Sequence, residues 1–231
     1  MSGPVRVVEL GTVPYAEALE LQRSLCRRRM TGALQDDLLL LVEHPPVVTL
    51  GRSTRDSSLP VAVPLLRARG IEVFEVERGG DVTLHAPGQL VGYPILDLHR
   101  WRLDLHWYLR QIEEVLIRSL AGAGITAERD PGRTGVWTSG RKIASIGIHV
   151  KQWITFHGFA LNVRNDLSLF DLIVPCGIAG VRMTSVAAEA PALDDPAGRM
   201  RSEVLRHFAD VFEREVQPAE AGMAALANAP A

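Results

Sequence analysis

Apolar side chains recur every three or four residues in several segments, the spacing that places them on one face of a helix. Thr12 is a candidate cap for the first segment, with Pro14 in its first turn. Asp104 is a candidate cap for the most regular one. The predicted helices span residues 12–32, 64–70, 104–120 and 202–216.

Shorter apolar or alternating runs predict strands. Residues 38–42 are all apolar, a run too short for most helices and typical of a buried strand. The predicted strands span residues 37–43, 47–50, 71–76, 125–127, 135–137, 142–150, 153–163 and 183–188. Because these elements follow one another without a linker, we expect one compact α/β domain over residues 1–216. An Ala- and Pro-rich tail, 217–231, is predicted to be disordered.

A tight turn at residues 151–152 would pair the two longest strands. In that register Ser145 lies opposite Gly158, and Gly147 lies opposite Phe156. Small residues there predict a slot in the sheet surface, wide enough for an alkyl chain. Lys142 would lie on the other face of the sheet, unless a bulge intervenes, or would reach solvent from the strand end.

Composition narrows the class of protein. The 231 residues are 47% hydrophobic and 23% charged, which predicts a soluble globular protein. A net charge of -2 gives no electrostatic argument for nucleic acid as a partner. We find no signal peptide and no apolar run approaching the roughly 20 residues of a membrane span. With only two cysteines, a reduced cytoplasmic protein without disulfides is expected.

Two segments carry candidate chemistry. Cys176 stands between Pro175 and Gly177, a sequence that favours a sharp turn exposing the sulfur, whereas Cys26 falls on an apolar helix stripe and is expected to pack. The Gly-rich segment 78–89 contains two side chains, Arg78 and His85, that could orient a carbonyl or phosphate, although an ordinary hairpin connection fits equally well. The segment matches neither nucleotide-binding glycine motif, so no nucleotide is inferred.

Together these segments resemble the lipoyl(octanoyl) transferase family. The resemblance is carried by Glu43-His44-Pro45, Thr49-Leu50-Gly51-Arg52, Arg78-Gly79-Gly80-x-x-Thr83-x-His85-x-Pro87-Gly88-Gln89-Leu90-x-x-Tyr93-Pro94, Gly135-Val136-Trp137, Lys142-Ile143-Ala144-x-Ile146-Gly147, His157-Gly158-x-Ala160-x-Asn162 and Pro175-Cys176-Gly177-Ile178. It implies a mixed β-sheet covered by helices, similar to the catalytic domains of biotin and lipoate protein ligases.

The resemblance also implies an activity. Family members move an octanoyl group from acyl carrier protein to a lysine of lipoyl domains, in 2-oxoacid dehydrogenase complexes and the glycine cleavage H protein. No cofactor and no metal are implied, and a monomer is expected. Carried over to this sequence, Cys176 is the acyl-accepting nucleophile and Lys142 its base. The substrate would be lined by Arg78, Gly79, Gly80, Asp81, Val82, Thr83, Leu84, His85, Ser145, Ile146, Gly147, Gly158, Phe159 and Ala160. The sequence departs from the family pattern at Leu84, where Tyr is expected, and at Ala86, where Gly is expected.

A Cys–Lys pair suits acyl transfer, because a nearby ammonium stabilises a thiolate whose thiol pKa is otherwise about 8.5. Three alternatives stay open. They are an ATP-using lipoate ligase of the same fold, a Cys–His thioester hydrolase with His85 or His157 as base, and an acyl-binding module in which Cys176 only packs.

Overall fold

The computed structural model describes residues 3–175 and 180–219. Within these ranges the helices are α1 (Tyr15–Met30), α2 (Val63–Ala68), α3 (Leu105–Gly122), α4 (Val186–Glu189) and α5 (Pro196–Phe212). The strands are β1 (Val5–Thr12), β2 (Asp37–Glu43), β3 (Val47–Leu50), β4 (Glu72–Glu75), β5 (Thr83–His85), β6 (Gln89–Ile95), β7 (Glu128–Asp130), β8 (Arg133–Thr138), β9 (Arg141–Lys151), β10 (Ile154–Asn162) and β11 (Val216–Pro218).

Most strands belong to one mixed sheet in the order β11-β1-β2-β6-β10-β9-β8-β7. The pairs that β1 makes with β2 and β11 are parallel, and the remaining pairs of this sheet are antiparallel. A small second sheet, β4-β3-β5, carries the chain into β6. The predicted mixed sheet with helices against it is therefore confirmed.

The central strand β2 explains why its sequence is apolar without alternation. Leu39 and Leu41 pack on one face of the sheet with residues of α3 and α5, such as Ile112 and Phe208. Leu38, Leu40 and Val42 pack on the other face, with residues of α1. A strand covered on both faces has no solvent side, so each of its positions can be apolar. Cys26 lies buried in the α1 cluster, as predicted.

Several predicted boundaries were wrong at the edges of the large sheet. Thr12 does not cap α1; it ends the unpredicted strand β1 and pairs with Glu43. Residues 183–188 do not form a strand, because Ser185 accepts a hydrogen bond from the Ala188 N–H and so caps the short helix α4.

The C-terminal helix also begins and ends earlier than predicted. The Asp195 carboxylate accepts a hydrogen bond from the Gly198 N–H, and Pro196 occupies the first turn, so α5 begins at residue 196. Val216 lies in β11 rather than in the helix, and β11 also contains Gln217 and Pro218, which the sequence assigned to the tail. Residues 220–231 of that tail lie outside the described residues, and the expectation of a single domain stays a prediction.

The hairpin of β9 and β10 differs from the prediction by a shift of two residues. Its loop residues are Gln152 and Trp153, which have φ values of 49° and 62°, the positive signs of a tight two-residue hairpin turn. Gly158 therefore pairs with Gly147 and not with Ser145, which pairs with Ala160. A loop placed one residue later along the chain moves the register by two.

Candidate active site

A cavity of about 430 Å³ opens between the Gly-rich segment, the β8–β9 hairpin and β10. Pockets for small molecules commonly have volumes of this order. The predicted site residues that line it are Arg78, Gly80, Asp81, Val82, Thr83, His85, Lys142, Ser145, Ile146, Gly147, Gly158, Phe159 and Ala160. The structure thus brings three separate segments of the sequence to one cavity.

Two of the predicted site residues that the structure describes, Gly79 and Leu84, do not line this cavity. Gly79 donates its N–H to the Ile148 carbonyl at 2.9 Å and so ties the Gly-rich segment to β9. Leu84 is fully buried in the apolar cluster under the small sheet, and Ala86 packs in the same cluster. Both departures from the family pattern therefore lie behind the cavity. Cys176 lies outside the described residues.

Lys142 reaches the cavity because the strand β9 is irregular at this point. The pairing with β8 shifts between Val136 and Trp137, which leaves Ile143 as an extra residue in β9. This bulge changes the alternation of side chains, so Lys142 lines the same cavity as Ser145. The bulge that the sequence analysis left open is present, and the solvent-exposed alternative for Lys142 was wrong, because the side chain is 2% exposed.

The surroundings of Lys142 hold its side chain in place. Nζ donates a hydrogen bond to the Thr134 carbonyl at 2.9 Å and lies 5.5 Å from the centre of the Trp137 ring. Gly135 provides the space, because a Cβ there would lie 2.7 Å from Lys142 Cε. A lysine surrounded in this way is positioned for a role inside the protein rather than at its surface.

The backbone of Lys142 is bonded to the segment that follows Cys176. The Lys142 N–H donates to the Arg182 carbonyl at 2.8 Å, and the Thr184 N–H donates to the Lys142 carbonyl at 2.9 Å. Met183, which pairs with Lys142 in a parallel bridge, is seven residues after Cys176. On the other side of Cys176, the Val174 N–H donates to the Ser58 carbonyl at 2.9 Å. The chain is therefore anchored before and after the predicted nucleophile.

Arg78 organises the Gly-rich segment from within. Its Nη2 donates to the Thr49 carbonyl at 2.7 Å and to the Thr49 hydroxyl at 2.8 Å. Its Nη1 donates to the Asp81 carbonyl at 2.7 Å and to the Gly79 carbonyl at 3.1 Å. These bonds join the loop to β3, so Arg78 shapes the cavity wall as well as lining it. The sequence analysis missed Thr49 as its partner.

The paired glycines do not simply leave an empty slot. A Cβ at Gly147 would lie 2.8 Å from Arg78 Cδ, and one at Gly158 would overlap the carbonyl oxygen of Gly92 on β6. Gly147 thus makes room for the arginine, and Gly158 lets two strands approach closely. The side chains that border open cavity at this level are those of Ser145 and Ala160.

Burial keeps two histidines near the site neutral. It lowers the pKa of His85 to about 3, with a further contribution from the positive charge that His44 would carry, and it lowers the pKa of His44 to about 4. His44 Nδ1 donates to the Val13 carbonyl at 2.7 Å, so its Nε2 accepts from the Tyr93 hydroxyl at 2.8 Å. His85 lines the cavity, whereas His44 lies behind it.

His157, the other candidate base, does not line the cavity. Its backbone N–H donates to Gln22 Oε1 of α1 at 2.8 Å, and its ring Nε2 lies 3.7 Å from Glu77 Oε2. Burial lowers the pKa of His157 although the Glu77 carboxylate opposes the shift, while the proximity of His157 lowers the pKa of Glu77. The hydrolase alternative would therefore depend on His85, whose low pKa makes it a weak base at neutral pH.

The sequence analysis did not assign six residues that also line the cavity: Ser53, Arg55, Gly132, Arg133, Thr134 and Trp137. Each lies within or beside a stretch already singled out, near Gly51-Arg52 or Gly135-Val136-Trp137. The Arg133 guanidinium lies 4.2 Å from the centre of the Trp137 ring. Their adjacency to those stretches is the feature of the sequence from which these six residues could have been predicted to line the cavity.

Neither a metal-binding cluster nor a helix able to cross a membrane occurs within residues 3–175 and 180–219. No group of three or more His, Cys, Asp or Glu side chains in these ranges is arranged to hold a metal ion. Among the helices of the same residues, none combines the length and the apolar character needed to span a bilayer.

The sequence of this chain is similar to those of a known family of proteins. The family described as lipoyl protein ligase A/B catalytic domain matches residues 14–209. Over 206 residues, covering 89% of this chain and 87% of its relative, the chain is 49% identical to an octanoyltransferase of Nostoc punctiforme. The chain belongs to the lipoyl protein ligase A/B family. Like its close relatives, it is an acyltransferase.

Solved structures of this fold are more distant in sequence. A bi-partite lipoate protein ligase from Thermoplasma acidophilum superposes with a TM-score of 0.73 at 17% identity, covering 98% of this chain and 91% of that one. A biotin protein ligase from Aquifex aeolicus gives a TM-score of 0.56 at 11% identity, covering 90% and 70%. At these identities the likeness concerns the fold, and it agrees with the expected relation to biotin and lipoate protein ligases.

Proposed function

We propose that this member of the lipoyl protein ligase A/B family transfers an octanoyl group from octanoyl-acyl carrier protein to a lysine of a lipoyl domain. Cys176 carries the acyl group as a thioester between acylation by the donor and transfer to the acceptor, and Lys142 donates and accepts the proton in these steps. The acceptors are lipoyl domains of 2-oxoacid dehydrogenase complexes and the glycine cleavage H protein. We expect a cytoplasmic monomer that needs no cofactor.

The observation that carries the proposal is the position of Lys142. It is a buried lysine at a cavity, and its backbone is bonded to residues 182–184, shortly after Cys176. Burying a lysine ammonium costs free energy, and a role in the reaction would account for its presence in this position. The names of the curated relatives support octanoyl as the group transferred.

The chemistry can be balanced with these residues alone. In the first step, the Cys176 thiolate attacks the thioester carbon of the donor and a new C–S bond forms. The carrier thiolate leaves and takes the proton of the Lys142 ammonium, which leaves Lys142 neutral. In the second, the acceptor amine attacks the acyl-Cys176 carbon, its proton passes to neutral Lys142, and the Cys176 thiolate leaves. Exchange between thioesters is nearly isoenergetic and amide formation runs downhill, so ATP is not required.

The intact mass of the protein tests this proposal. With donor alone, the wild type should gain one octanoyl group, mapped to Cys176 by peptide mass, and Cys176→Ala should gain none. Cys26→Ala is the matched control, because the other cysteine is buried in the α1 cluster and should not affect acylation. Transfer by Cys176→Ala at the wild-type rate would exclude the covalent intermediate.

An ATP-dependent lipoate ligase is the second candidate, favoured by the fold shared with the ligases from Thermoplasma acidophilum and Aquifex aeolicus. A ligase of this kind would modify the lipoyl domain from free acid plus ATP, without an acyl carrier donor. Assaying both substrate pairs side by side separates the two functions, and release of free octanoate without acceptor would indicate the hydrolase.

A further inference from the structure

A line of buried side-chain hydrogen bonds runs from the cavity to the segment beside Lys142. His85 Nδ1 lies 2.7 Å from Gln89 Oε1, and Gln89 Nε2 lies 2.9 Å from Asn162 Oδ1. Asn162 Nδ2 in turn lies 3.0 Å from the Thr184 carbonyl oxygen. All four residues are at least nine-tenths buried, and Thr184 is the residue whose N–H bonds the Lys142 carbonyl.

The direction of donation along this line is fixed at its far end. The Thr184 carbonyl can only accept, so the Asn162 amide nitrogen faces it and the Asn162 oxygen faces Gln89. Gln89 must then donate through Nε2, which also lies 3.3 Å from the Leu84 carbonyl. The Gln89 oxygen is left facing His85, and His85 must donate to it. The proton of the imidazole therefore resides on Nδ1.

The same assignment leaves the other ring nitrogen as an acceptor. A neutral imidazole protonated on Nδ1 carries a lone pair on Nε2. Among the described residues, none forms a hydrogen bond with His85 Nε2, and the His85 side chain lines the cavity. Because burial lowers the pKa of His85 to about 3, this nitrogen accepts hydrogen bonds without retaining a proton at neutral pH.

We propose that Gln89, itself held by Asn162, is a positioning residue that fixes the His85 tautomer, so that His85 Nε2 accepts a hydrogen bond from the incoming acceptor amine. This inference rests on the proposed function. At the reacting atoms, the donor thioester offers a carbonyl oxygen and a sulfur, which accept, whereas the amine has N–H bonds to donate. A lone pair in the cavity therefore orients the amine and has no partner at the thioester. Lys142 remains the group that takes the proton.

The tautomer can be measured without any assay of activity. In protein labelled with ¹⁵N-histidine, long-range proton–nitrogen spectra at pH 7 distinguish a protonated from an unprotonated ring nitrogen. The His85 signals are assigned from their loss in His85→Asn. We expect a protonated Nδ1 and an unprotonated Nε2 in the wild type. A proton on Nε2 instead would overturn the inference, whatever reaction the protein performs.

Two variants of Gln89 separate positioning from packing. Gln89→Met keeps the length of the side chain without the acceptor oxygen, so it should shift the proton toward Nε2. It should slow transfer from octanoyl-Cys176 to the lipoyl-domain lysine by about tenfold, the effect of one hydrogen bond, and leave acylation by the donor unchanged. Gln89→Glu keeps an acceptor oxygen for His85 but loses the donor to Asn162. It should therefore keep the proton on Nδ1 and transfer faster than Gln89→Met, although more slowly than the wild type.

The outcomes distinguish failure of the positioning role of Gln89 from failure of the proposed function. Equal loss in both half-reactions, or a shifted tautomer with normal transfer, would overturn the role of Gln89. If Gln89→Met does not fold, the wild-type spectrum and Gln89→Glu still decide the question. A proton on Nε2 of His85 in the wild type would contradict the inference. So would a Gln89→Glu protein that retains the Nδ1 tautomer but transfers octanoyl no faster than an unpositioned His85 would allow, about tenfold below the wild type. If the wild type forms no octanoyl-enzyme, the proposed function fails, and the spectrum reports on the tautomer independently.

Discussion

The substitution Gly135→Ala should displace Lys142 without removing it. Gly135 has a φ of +123°, and a Cβ there would lie 2.7 Å from Lys142 Cε and 2.6 Å from the Ala144 carbonyl oxygen. An ordinary carbon–carbon contact needs about 3.5 Å, so Cε would have to move by about 0.8 Å. A shift of that size is enough to break the 2.9 Å hydrogen bond from Nζ to the Thr134 carbonyl.

This displacement of Lys142 should lower both the rate of octanoyl transfer and the stability of the protein. Misplacing a reacting group by about 1 Å can slow a step by about 100-fold, so single-turnover octanoyl transfer should fall by roughly that factor. The unfavourable φ costs about 1–2 kcal/mol and the crowding about 1–3 kcal/mol, so the free energy of unfolding should fall by about 2–5 kcal/mol.

Gly140→Ala in the turn of the same hairpin is the matched control. Gly140 has a φ of +73°, but a Cβ there would meet nothing within 4 Å. We expect a loss of about 1–2 kcal/mol in urea unfolding and an unchanged transfer rate. The position of Lys142 would be irrelevant to the reaction if folded Gly135→Ala, verified by circular dichroism, transferred octanoyl as fast as Gly140→Ala.

Three other predictions concern the charge, the cavity wall and the buried histidines. Lys142→Arg should keep the thiolate of Cys176 but fail as a base, so it should acquire an octanoyl mass and then stall; a wild-type second step would contradict the role of Lys142 as base. Ala160→Val should reduce transfer from octanoyl donors more than from short-chain donors, and equal losses for both donors would place the acyl chain elsewhere. Gly158→Val, in contrast, should unfold the protein, because the added side chain would overlap with β6. Because the folded-state pKa values of His44 and His85 lie below the unfolded value of about 6.5, their contribution to stability is present above pH 6.5 and lost as the pH falls toward 4. Between pH 7 and pH 5 that loss should approach about 2 kcal/mol for each histidine in urea unfolding, and a flat profile would show that the histidines can be protonated in the fold.

The sequence was most informative where local pattern decides structure. The run 37–43 predicted β2 with its observed limits, and Asp104 caps α3 as predicted, by accepting a hydrogen bond from the Trp107 N–H. β11 was missed because its three residues owe their place to β1, about 210 residues earlier in the chain, as in the pair of Val5 with Val216. Short strands of this kind carry little periodicity of their own.

For the candidate site, the sequence motifs predicted which residues take part but not how their side chains are oriented. The Gly-rich segment and Lys142 were found from residue type and from the family resemblance. The position of Lys142 at the cavity depends on a bulge of one residue, and no single-residue preference marks it. The bonds of Arg78 to Thr49 and of Gln89 to Asn162 join residues 29 and 73 positions apart. Such contacts follow from the folded topology, which local pattern does not contain.

The position of β1 has a consequence for the synthesis of the chain. β1 is synthesised about 210 residues before β11, yet in the described part of the chain one of its two edges is paired by residues 215–219. Until those residues emerge, the nascent chain presents a strand with unpaired N–H and C=O groups beside a nearly complete sheet, and such an edge can pair with other chains. A pause in translation before residue 216 should therefore favour aggregation, and a chaperone acting there would need to shield that edge of β1.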